Sequence, residues 1–265
     1  APNDVDLVVH AAATVSWLAP YAALRGPNVL GTHALVGWAA ARGVALHHVS
    51  TISTAPAEGD ESTRLPFELA LAATPYTLSK WIAEEHVLRA QARGLPAALY
   101  RPAMIAPDTR TGLGNPDDFL CRYLRGCVEL GLYIDRDDAV LDMTPVDFVA
   151  EGIAALAVAN PECGGTWHLA NVASSMTYGA LGRAMAVAGH AVAPARYEEF
   201  RAAVLRARRG RLHALAAFFP ERFSLGMGPW PCARTLGSLA ALGLRPPTID
   251  APYVARAVAQ ALRDG

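Results

Sequence analysis

The sequence PYTLSK, residues 75–80, opens a predicted helix that runs to about residue 93 and ends before Gly94. A short apolar stretch precedes this helix at residues 44–49, and another follows it at residues 96–100. Apolar runs of this length on both sides of a helix are typical of buried parallel strands joined by a crossover helix. The segment therefore predicts a strand–helix–strand unit, the basic repeat of a parallel α/β sheet.

The same alternation continues outward in both directions. The further predicted elements are a strand at 5–10, a helix at 28–42, a helix at 148–159 and a strand at 166–170. We therefore predict an α/β fold with a Rossmann-like parallel sheet that lacks its first strands and is formed by residues 1–105 and 141–172. Residues 106–140 are rich in Pro, Gly and Asp around one short predicted helix near 117–130, and the chain after residue 173 reads mostly as helices, including 196–217 and 232–242. We expect 106–140 and 173–265 to form a smaller, mainly helical substrate-binding lobe.

The composition restricts the class of protein. Of 265 residues, 52% are hydrophobic and 18% charged, and the formal net charge is −1, which predicts a globular protein without the basic character of a nucleic-acid binder. No apolar stretch reaches membrane-spanning length without Gly, Pro, His or a charge, so we expect no membrane association. The four cysteines show neither Cys-x-x-Cys pairs nor zinc spacing; they are Cys121, Cys127, Cys163 and Cys232. We expect a cytoplasmic protein with reduced cysteines and no metal site.

Lysine is almost absent from the chain. Lys and Arg total 23 residues, and all of them except Lys80 are arginine. Lys80 follows Tyr76 by four residues, and residues i and i+4 share one face of a helix. A nearby cation stabilises the phenolate and lowers a tyrosine pKa, which makes the phenol a better general acid or base near neutral pH. The pair predicts a catalytic function, although the spacing alone also fits an exposed lysine.

Three strand ends carry further candidate residues, because ligands of open parallel sheets bind at the carboxyl ends of the strands. Ala11 and Ala12 follow the first strand, where small side chains would let a cofactor ribose approach the backbone. Thr51 follows the second strand, and its hydroxyl can donate a hydrogen bond to a substrate carbonyl oxygen. Residues 101–105 leave the third strand, and their backbone groups could hold a carboxamide. Together with the tyrosine–lysine pair they predict one catalytic crevice.

The set Thr51, Tyr76 and Lys80 resembles the catalytic residues of the extended short-chain dehydrogenase/reductase family. Further runs match that family's pattern: HAA at 10–12 after a strand, NVLGT at 28–32 opening a helix, and RP at 101–102. Others resemble its thioester reductase branch, the terminal reductase domains of nonribosomal peptide and polyketide synthetases, which are related to carboxylic acid reductases and aminoadipate reductases. These runs are SW at 16–17, PY at 20–21, LR at 24–25, DTRTG at 108–112, DDF at 117–119 and DMTPVDF at 142–148. Ser16 departs from the branch, which commonly has asparagine there.

This resemblance implies NADPH as the hydride donor and an acyl or peptidyl thioester on the phosphopantetheine arm of a carrier protein as the substrate. It implies release of an aldehyde; whether a second hydride gives the alcohol, and whether NADH replaces NADPH, stays open. The implied catalytic residues are Thr51, Tyr76 and Lys80. The expected cofactor-binding residues are Ala11, Ala12, Tyr76, Lys80, Arg101, Pro102 and Ile105. The expected substrate-binding residues are Ser16, Trp17, Ser53, Met104, Phe119 and Met143.

The glycine-rich turn with which this family binds the cofactor pyrophosphate does not occur in the sequence. We therefore expect the chain to begin at the family's fourth strand, as the latter part of a longer polypeptide or as the partner of a separate chain. Two alternative functions stay open, a nucleotide-sugar epimerase or dehydratase of the same superfamily and a non-catalytic module that interacts with a carrier protein. The dehydratases usually carry an Asp-Glu pair after the threonine, and Ile52 and Ser53 at these positions disfavour that alternative.

Overall fold

The computed structural model describes residues 5–160, 164–208, 210–224, 226 and 228–263, so Cys163 lies outside the described residues. The chain divides into two compact units. One unit, the sheet unit, comprises Ala1–Ala103, Glu151–Leu169 and Trp230–Arg245. The other, the helical unit, comprises Met104–Ala150, Ala170–Pro229 and Pro246–Gly265.

The strands are short and are numbered in chain order. They are β1 (Leu7–His10), β2 (Ala45–Val49), β3 (Ala97–Pro102), β4 (Ile105–Ala106), β5 (Leu132–Ile134), β6 (Val140–Leu141), β7 (Thr144–Pro145), β8 (Thr166–Leu169), β9 (Met176–Thr177) and β10 (Ala193–Ala195). The α-helices are α1 (Tyr21–Leu24), α2 (Gly31–Arg42), α3 (Phe67–Ala72), α4 (Pro75–Gln91), α5 (Phe119–Leu130), α6 (Val146–Ala159), α7 (Tyr178–Val187), α8 (Tyr197–Arg206), α9 (Ala233–Ala241) and α10 (Ala251–Arg263).

The sheet unit is built on four parallel strands in the order β1-β2-β3-β8. The register places His10 beside His48 and His48 beside Leu99. Because side chains alternate across a strand, His48 and Arg101 share one face of the sheet, whereas His47 lies on the other. The predicted parallel α/β fold is confirmed. Both strands predicted around the helix that PYTLSK opens are present, as β2 before it and β3 after it.

Helices α2 and α4 cover one face of this sheet. Their apolar side chains pack with those of β2 and β3 in a core that includes Val36, Leu46, Val87 and Leu99. Helix α2 ends at Gly43, whose φ of 64° lies in the left-handed region that glycine adopts without steric cost. A π-helical segment, Arg25–Leu30, leads directly into α2, whereas the sequence predicts an ordinary helix from residue 28.

The helical unit has its own core of aromatic and aliphatic side chains. Tyr123, Tyr178, Phe200 and Tyr253 are fully or almost fully buried in it. In the described part of this unit there are three two-stranded sheets, with β4–β7 and β5–β10 parallel and β6–β9 antiparallel. Short strand pairs of this kind carry no strong sequence pattern, and the sequence predicts none of them.

Three features differ from the sequence-based boundaries. Helix α9 belongs to the sheet unit and packs against β8, where the His168 backbone N–H donates a hydrogen bond to the Thr235 hydroxyl at 2.9 Å. The backbone N–H and hydroxyl of Thr235 also bind the Glu61 carboxylate. Residues 141–150 belong to the helical unit. The helix predicted at 196–217 is interrupted: α8 ends at Arg206, its C-cap Ala207 departs from helical geometry (φ −78°, ψ 60°), and a 3₁₀ segment, Arg211–Phe218, follows.

Among the residues that the structure describes, no helix combines the length and the apolar character needed to cross a bilayer.

Candidate active site

The predicted catalytic threonine lies just beyond the carboxyl end of β2. Thr51 is the N-cap of a 3₁₀ turn, Ile52–Thr54, and its Oγ1 accepts a hydrogen bond from the Ser53 backbone N–H at 3.3 Å. The Thr54 hydroxyl donates back to the Thr51 carbonyl oxygen at 2.8 Å. These two contacts fix the backbone around Thr51, which is half-buried at the strand end.

A chain of hydroxyl groups connects this turn to the start of α4. Ser53 Oγ lies 3.3 Å from Thr51 Oγ1 and accepts a hydrogen bond from Thr77 Oγ1 at 3.1 Å. Thr77 Oγ1 also lies 3.0 Å from the hydroxyl of Thr74, the helix N-cap, which accepts the Thr77 N–H. Tyr76 directly precedes Thr77. The hydroxyl chain therefore fixes the position of the 3₁₀ turn after Thr51 relative to the first turn of α4, which carries the tyrosine.

Tyr76 and Lys80 occupy the first turns of α4 and are both buried, with 8% and 1% of their surfaces exposed. Lys80 Nζ donates a hydrogen bond to the Val49 carbonyl oxygen at 2.8 Å and lies 3.4 Å from His48 Nε2. The lysine is therefore held at the carboxyl end of β2, the end that also carries Thr51. The effect of this ammonium on the acidity of the phenol of Tyr76 stays a prediction.

The environment of Lys80 disfavours its charged form. Burial lowers the pKa of Lys80 from its usual 10.5 to about 8, and the nearby Glu84 carboxylate opposes part of that change. Burial also lowers the pKa of His48 well below its usual value, and the charge of Lys80 adds to this effect. Near neutral pH the pair consists of a protonated lysine and a neutral imidazole.

A second polar cluster lies further along α4. Glu84 is fully buried and binds Arg101 through two hydrogen bonds of 2.9 Å and 2.8 Å. It also accepts hydrogen bonds from Arg64 Nε at 3.2 Å and from the Thr54 hydroxyl at 2.7 Å. The remaining guanidinium nitrogen of Arg101 donates to the carbonyl oxygens of Glu61 and Thr63. The Arg101 side chain is thus committed to the protein interior, and only its backbone is left for the predicted contact with the cofactor.

Asn28 in the π-helical segment fixes the opposite side of α4. Its side-chain amide exchanges two hydrogen bonds with the Thr14 backbone, at 2.7 Å and 3.0 Å, and donates to Ser79 Oγ at 3.0 Å. Ser79 in turn donates to the Tyr76 carbonyl oxygen. Sequence reasoning used Asn28 only within the run NVLGT and missed its contact with Ser79, because 51 residues separate the two in the chain.

The adjacent histidines of β2 point to opposite faces of the sheet, as predicted. His47 Nδ1 binds the hydroxyl of Tyr100 at 2.8 Å on one face, and His48 contacts Lys80 on the other. Beside His48, the His10 ring lies 5.0 Å away between centroids, and His10 Nε2 binds the Thr32 hydroxyl at 2.9 Å.

The other residues predicted to bind ligands in the sheet unit lie close to the ends of β1 and β3. Ala11 and Ala12 are exposed. The Ser16 hydroxyl oxygen accepts a hydrogen bond from the Ala19 N–H at 3.1 Å, and the neighbouring Trp17 is 36% exposed. Pro102, at the end of β3, is buried. Their functions stay predictions.

In the helical unit, the predicted ligand-binding residues differ in exposure. Met104, Ile105 and Phe119 are half-buried, and the Phe119 ring stacks on Tyr123 at 6.0 Å between centroids. Met143 has no exposed surface and packs in the core of the unit. Met143 is therefore a core residue in this structure, and the expectation that it contacts substrate is not supported by its position.

The residues at the strand ends fit a sugar such as the ribose of a dinucleotide. An ammonium has three donors, and among the described residues Lys80 directs two of them at Val49 and His48, which leaves one for a ribose hydroxyl. Ala11 and Ala12 follow His10, the β1 neighbour of His48, and present only a methyl group each. Small side chains and one spare donor are what a sugar bound against the backbone requires.

Comparisons with known proteins agree with this geometry. The family described as male sterility protein matches residues 2–153. The L-2-aminoadipate reductase of Schizosaccharomyces pombe is 40% identical over 177 residues, which cover 60% of this chain and 12% of that protein. The nonribosomal peptide synthetase FrzA of Cladobotryum sp is 30% identical over 282 residues, which cover 97% of this chain and 27% of that protein.

The terminal R domain from the myxalamid PKS-NRPS biosynthetic pathway has a similar crystal structure. Its TM-score is 0.87 at 31% identity, and the match covers 98% of this chain and 68% of that chain. This chain spans only a small part of the two curated relatives. The resemblance seen in the sequence is confirmed: the chain belongs to the male sterility protein family, in its branch of terminal reductase domains.

Proposed function

We propose that this chain carries the catalytic residues of an NADPH-dependent thioester reductase, which releases an acyl or peptidyl group from a carrier protein as an aldehyde. The observation that carries the proposal is the position of the Lys80 ammonium. It is held at the carboxyl end of β2 by Val49, on the same helix as Tyr76 and beside the turn that carries Thr51. Membership in a family of reductase domains supports the same reaction class.

Each of the three residues has a separate task. Tyr76 donates a proton to the thioester oxygen as negative charge develops on it, and Thr51 donates a hydrogen bond to the same oxygen. Lys80 binds the cofactor ribose and stabilises the Tyr76 phenolate that proton transfer leaves behind. The hydroxyl chain through Ser53 and Thr77 keeps the two oxygen donors at a fixed separation.

The reaction balances with one hydride and one proton. NADPH, when bound, supplies the hydride, which adds to the carbonyl carbon of the thioester. The oxygen takes the proton of Tyr76 and returns it as the carbon–sulfur bond breaks. The aldehyde leaves, and the phosphopantetheine sulfur takes a proton from solvent. We propose NADPH as the hydride donor and an aldehyde as the first product from the family resemblance alone.

A nucleotide-sugar epimerase or dehydratase would use the same tyrosine and lysine. We do not favour it, because Ile52 and Ser53 follow Thr51 where the dehydratases usually carry two acidic residues. Ile52 is buried and Ser53 belongs to the hydroxyl chain, so neither position offers a carboxylate to a sugar substrate.

Substitution of Tyr76 by Phe tests the proposal. Removing the phenol hydroxyl should lower kcat for NADPH-dependent aldehyde formation by about 10²–10⁴-fold, the usual contribution of a general acid. The assay uses an acyl group loaded on a carrier protein and the longest natural polypeptide that contains this chain. It follows NADPH oxidation and aldehyde together.

Tyr100→Phe is the matched control, because it removes another buried tyrosine hydroxyl, the one bound to His47 on the other face of the sheet. It should leave kcat within about threefold of the wild type. If Tyr76→Phe also stays within threefold, the tyrosine is not the acid. If the wild type does not bind or oxidise NADPH at all, a non-catalytic carrier-binding module becomes the better description.

A further inference from the structure

His48 has an environment that the proposed mechanism does not yet explain. Its side chain is completely buried on β2, and its Nε2 lies 3.4 Å from Lys80 Nζ. Its second ring nitrogen, Nδ1, is also buried and has no hydrogen-bond partner among the residues that the structure describes. A buried polar atom without a hydrogen-bond partner lowers the stability of the fold, so an apolar side chain at this position would be expected to be more stable. The presence of an imidazole here therefore points to a function.

The chemistry of the two groups determines the direction of the contact. An ammonium has no lone pair, so a protonated Lys80 can only donate to His48. The imidazole must then be neutral, with Nε2 as the acceptor and the proton on Nδ1. The lowered pKa of His48, caused first by burial and then by the charges of Lys80 and His10, favours this neutral form.

Titratable and charged groups lie on the three neighbouring strands of the sheet and on the helix that carries Lys80. His10 lies on β1, His48 on β2, Arg101 on β3, and Glu84 follows one turn later on α4. Arg101 is neutralised by Glu84, and His10 is hydrogen-bonded to Thr32. Of these four groups, His48 is the one within hydrogen-bond reach of Nζ.

We propose that His48 is a positioning residue for Lys80: its neutral imidazole accepts a hydrogen bond from the ammonium and, with the Val49 carbonyl, fixes the direction of the third N–H. Two acceptors on the sheet side hold the ammonium against rotation, and the remaining N–H is left to donate to a ligand. The consequence for catalysis rests on the proposed function, because it assumes that this ligand is the cofactor ribose. The hydrogen bond itself does not depend on that assumption.

The composition of the chain allows a direct measurement on Lys80. It is the only lysine among the 265 residues, so labelling with ¹⁵N-lysine gives a single side-chain signal whose titration reports its pKa. The wild type should titrate at about 8. His48→Phe removes an acceptor that stabilises the charged form, and should lower the Lys80 pKa by about one further unit.

His47→Phe is the matched control. It replaces the neighbouring residue of β2, which is equally buried, and it also breaks one hydrogen bond, the contact with Tyr100. Since His47 lies on the other face of the sheet, this variant should leave the Lys80 pKa unchanged. A Lys80 pKa that is unaltered in His48→Phe, or that falls equally in both variants, would overturn the proposal.

A second measurement needs no substitution and holds even if His48→Phe does not fold. In the wild-type chain labelled with ¹⁵N-histidine, the Nε2 signal of His48 should be that of an unprotonated ring nitrogen at pH 7, and it should move as Lys80 loses its proton. A protonated Nε2 at pH 7 would show that His48 is not an acceptor.

Kinetics then separate this inference from the proposed reaction. In an active polypeptide, His48→Phe should move the basic limb of the kcat/KM profile to lower pH by the same amount as the NMR titration, whereas His47→Phe should not. An NMR shift without a kinetic shift would remove His48 from catalysis but keep the hydrogen bond. An inactive wild type would remove the reaction and leave the NMR result standing.

Discussion

Two buried polar clusters share one face of the parallel sheet and differ in how completely their atoms are hydrogen-bonded. In the Glu84 cluster, the carboxylate accepts hydrogen bonds from Arg101, Arg64 and Thr54. In the Lys80 cluster, the ammonium contacts a backbone carbonyl and one imidazole nitrogen, and the other imidazole nitrogen has no partner among the described residues.

This difference separates a structural cluster from a reactive one. The pKa of Glu84 is lowered despite complete burial, because the hydrogen bonds and charge of Arg101 and the hydroxyl of Thr54 outweigh desolvation. The pKa of Lys80 is also lowered, but a lowered pKa of a cation means that its charged form is destabilised. The contacts of the ammonium do not compensate the cost of burying its charge. The first cluster is stable as it stands, whereas the second gains from a ligand that accepts its remaining donor. Three substitutions test whether the two clusters differ in this way.

The largest effect on stability is expected at Glu84. Glu84→Gln leaves Arg101 as a buried charge without a counter-charge and should lower the free energy of unfolding by about 3–5 kcal/mol. Urea denaturation at pH 7 measures the loss. The control is Arg89→Ala, which breaks the ion pair with Glu85 on the exposed side of the same helix and should cost under ~1 kcal/mol. Equal losses in the two variants would mean that the Glu84 cluster contributes no more to the free energy of unfolding than an exposed ion pair does.

Lys80→Met should give the opposite result, with activity lost and the fold retained. The folded-state pKa of about 8 lies below the usual 10.5, so between these pH values the unfolded state binds more protons and wild-type stability rises with pH. The variant lacks this contribution. It should therefore be more stable than the wild type at pH 7, with an advantage that shrinks by roughly 2 kcal/mol by pH 10. Urea denaturation at both pH values measures it, and a pH-independent difference would contradict the assignment.

The smallest effect is expected in the hydroxyl chain that joins the Thr51 turn to α4. Thr77→Val removes the donor to Ser53 and should cost about 1 kcal/mol of unfolding free energy. Thr77→Ser keeps the hydroxyl and is the control. If turnover falls by less than tenfold while stability falls, the hydroxyl chain belongs with the structural cluster. A large loss of turnover at unchanged stability would place it with the reactive one.

The elements that carry the site could be predicted from sequence because their signals are local. Apolar runs bounded by Gly43 and Gly94 predict the strands and helices of the sheet unit, and the spacing of Tyr76 and Lys80 depends only on helical periodicity. Strand ends then indicate where Thr51 belongs. These predictions require no knowledge of which side chain faces which.

The parts that escaped prediction depend on partners far apart in the chain. From the local sequence, Glu84 would be predicted to be an exposed charge on the helix. Its burial depends on the contact with Arg101 on β3. His48 reads as one of two adjacent histidines, and only the register of β2 beneath α4 brings it to Lys80, 32 residues away. Helix α9 has an ordinary amphipathic pattern, and its assignment to the sheet unit follows from Thr235. Contacts between residues so far apart in the chain leave no periodic pattern in the local sequence, so they cannot be predicted from it.

The contact between Glu61 and Thr235 also has a consequence for the order of synthesis. Glu61 is buried, and both of its carboxylate oxygens accept hydrogen bonds from Thr235, 174 residues later in the chain. A nascent polypeptide that has not reached this threonine cannot cover the carboxylate, and the loop preceding α3 lacks this anchor on the ribosome. The sheet unit is therefore completed only after residues 104–150 and 170–229, which belong to the helical unit, have been translated.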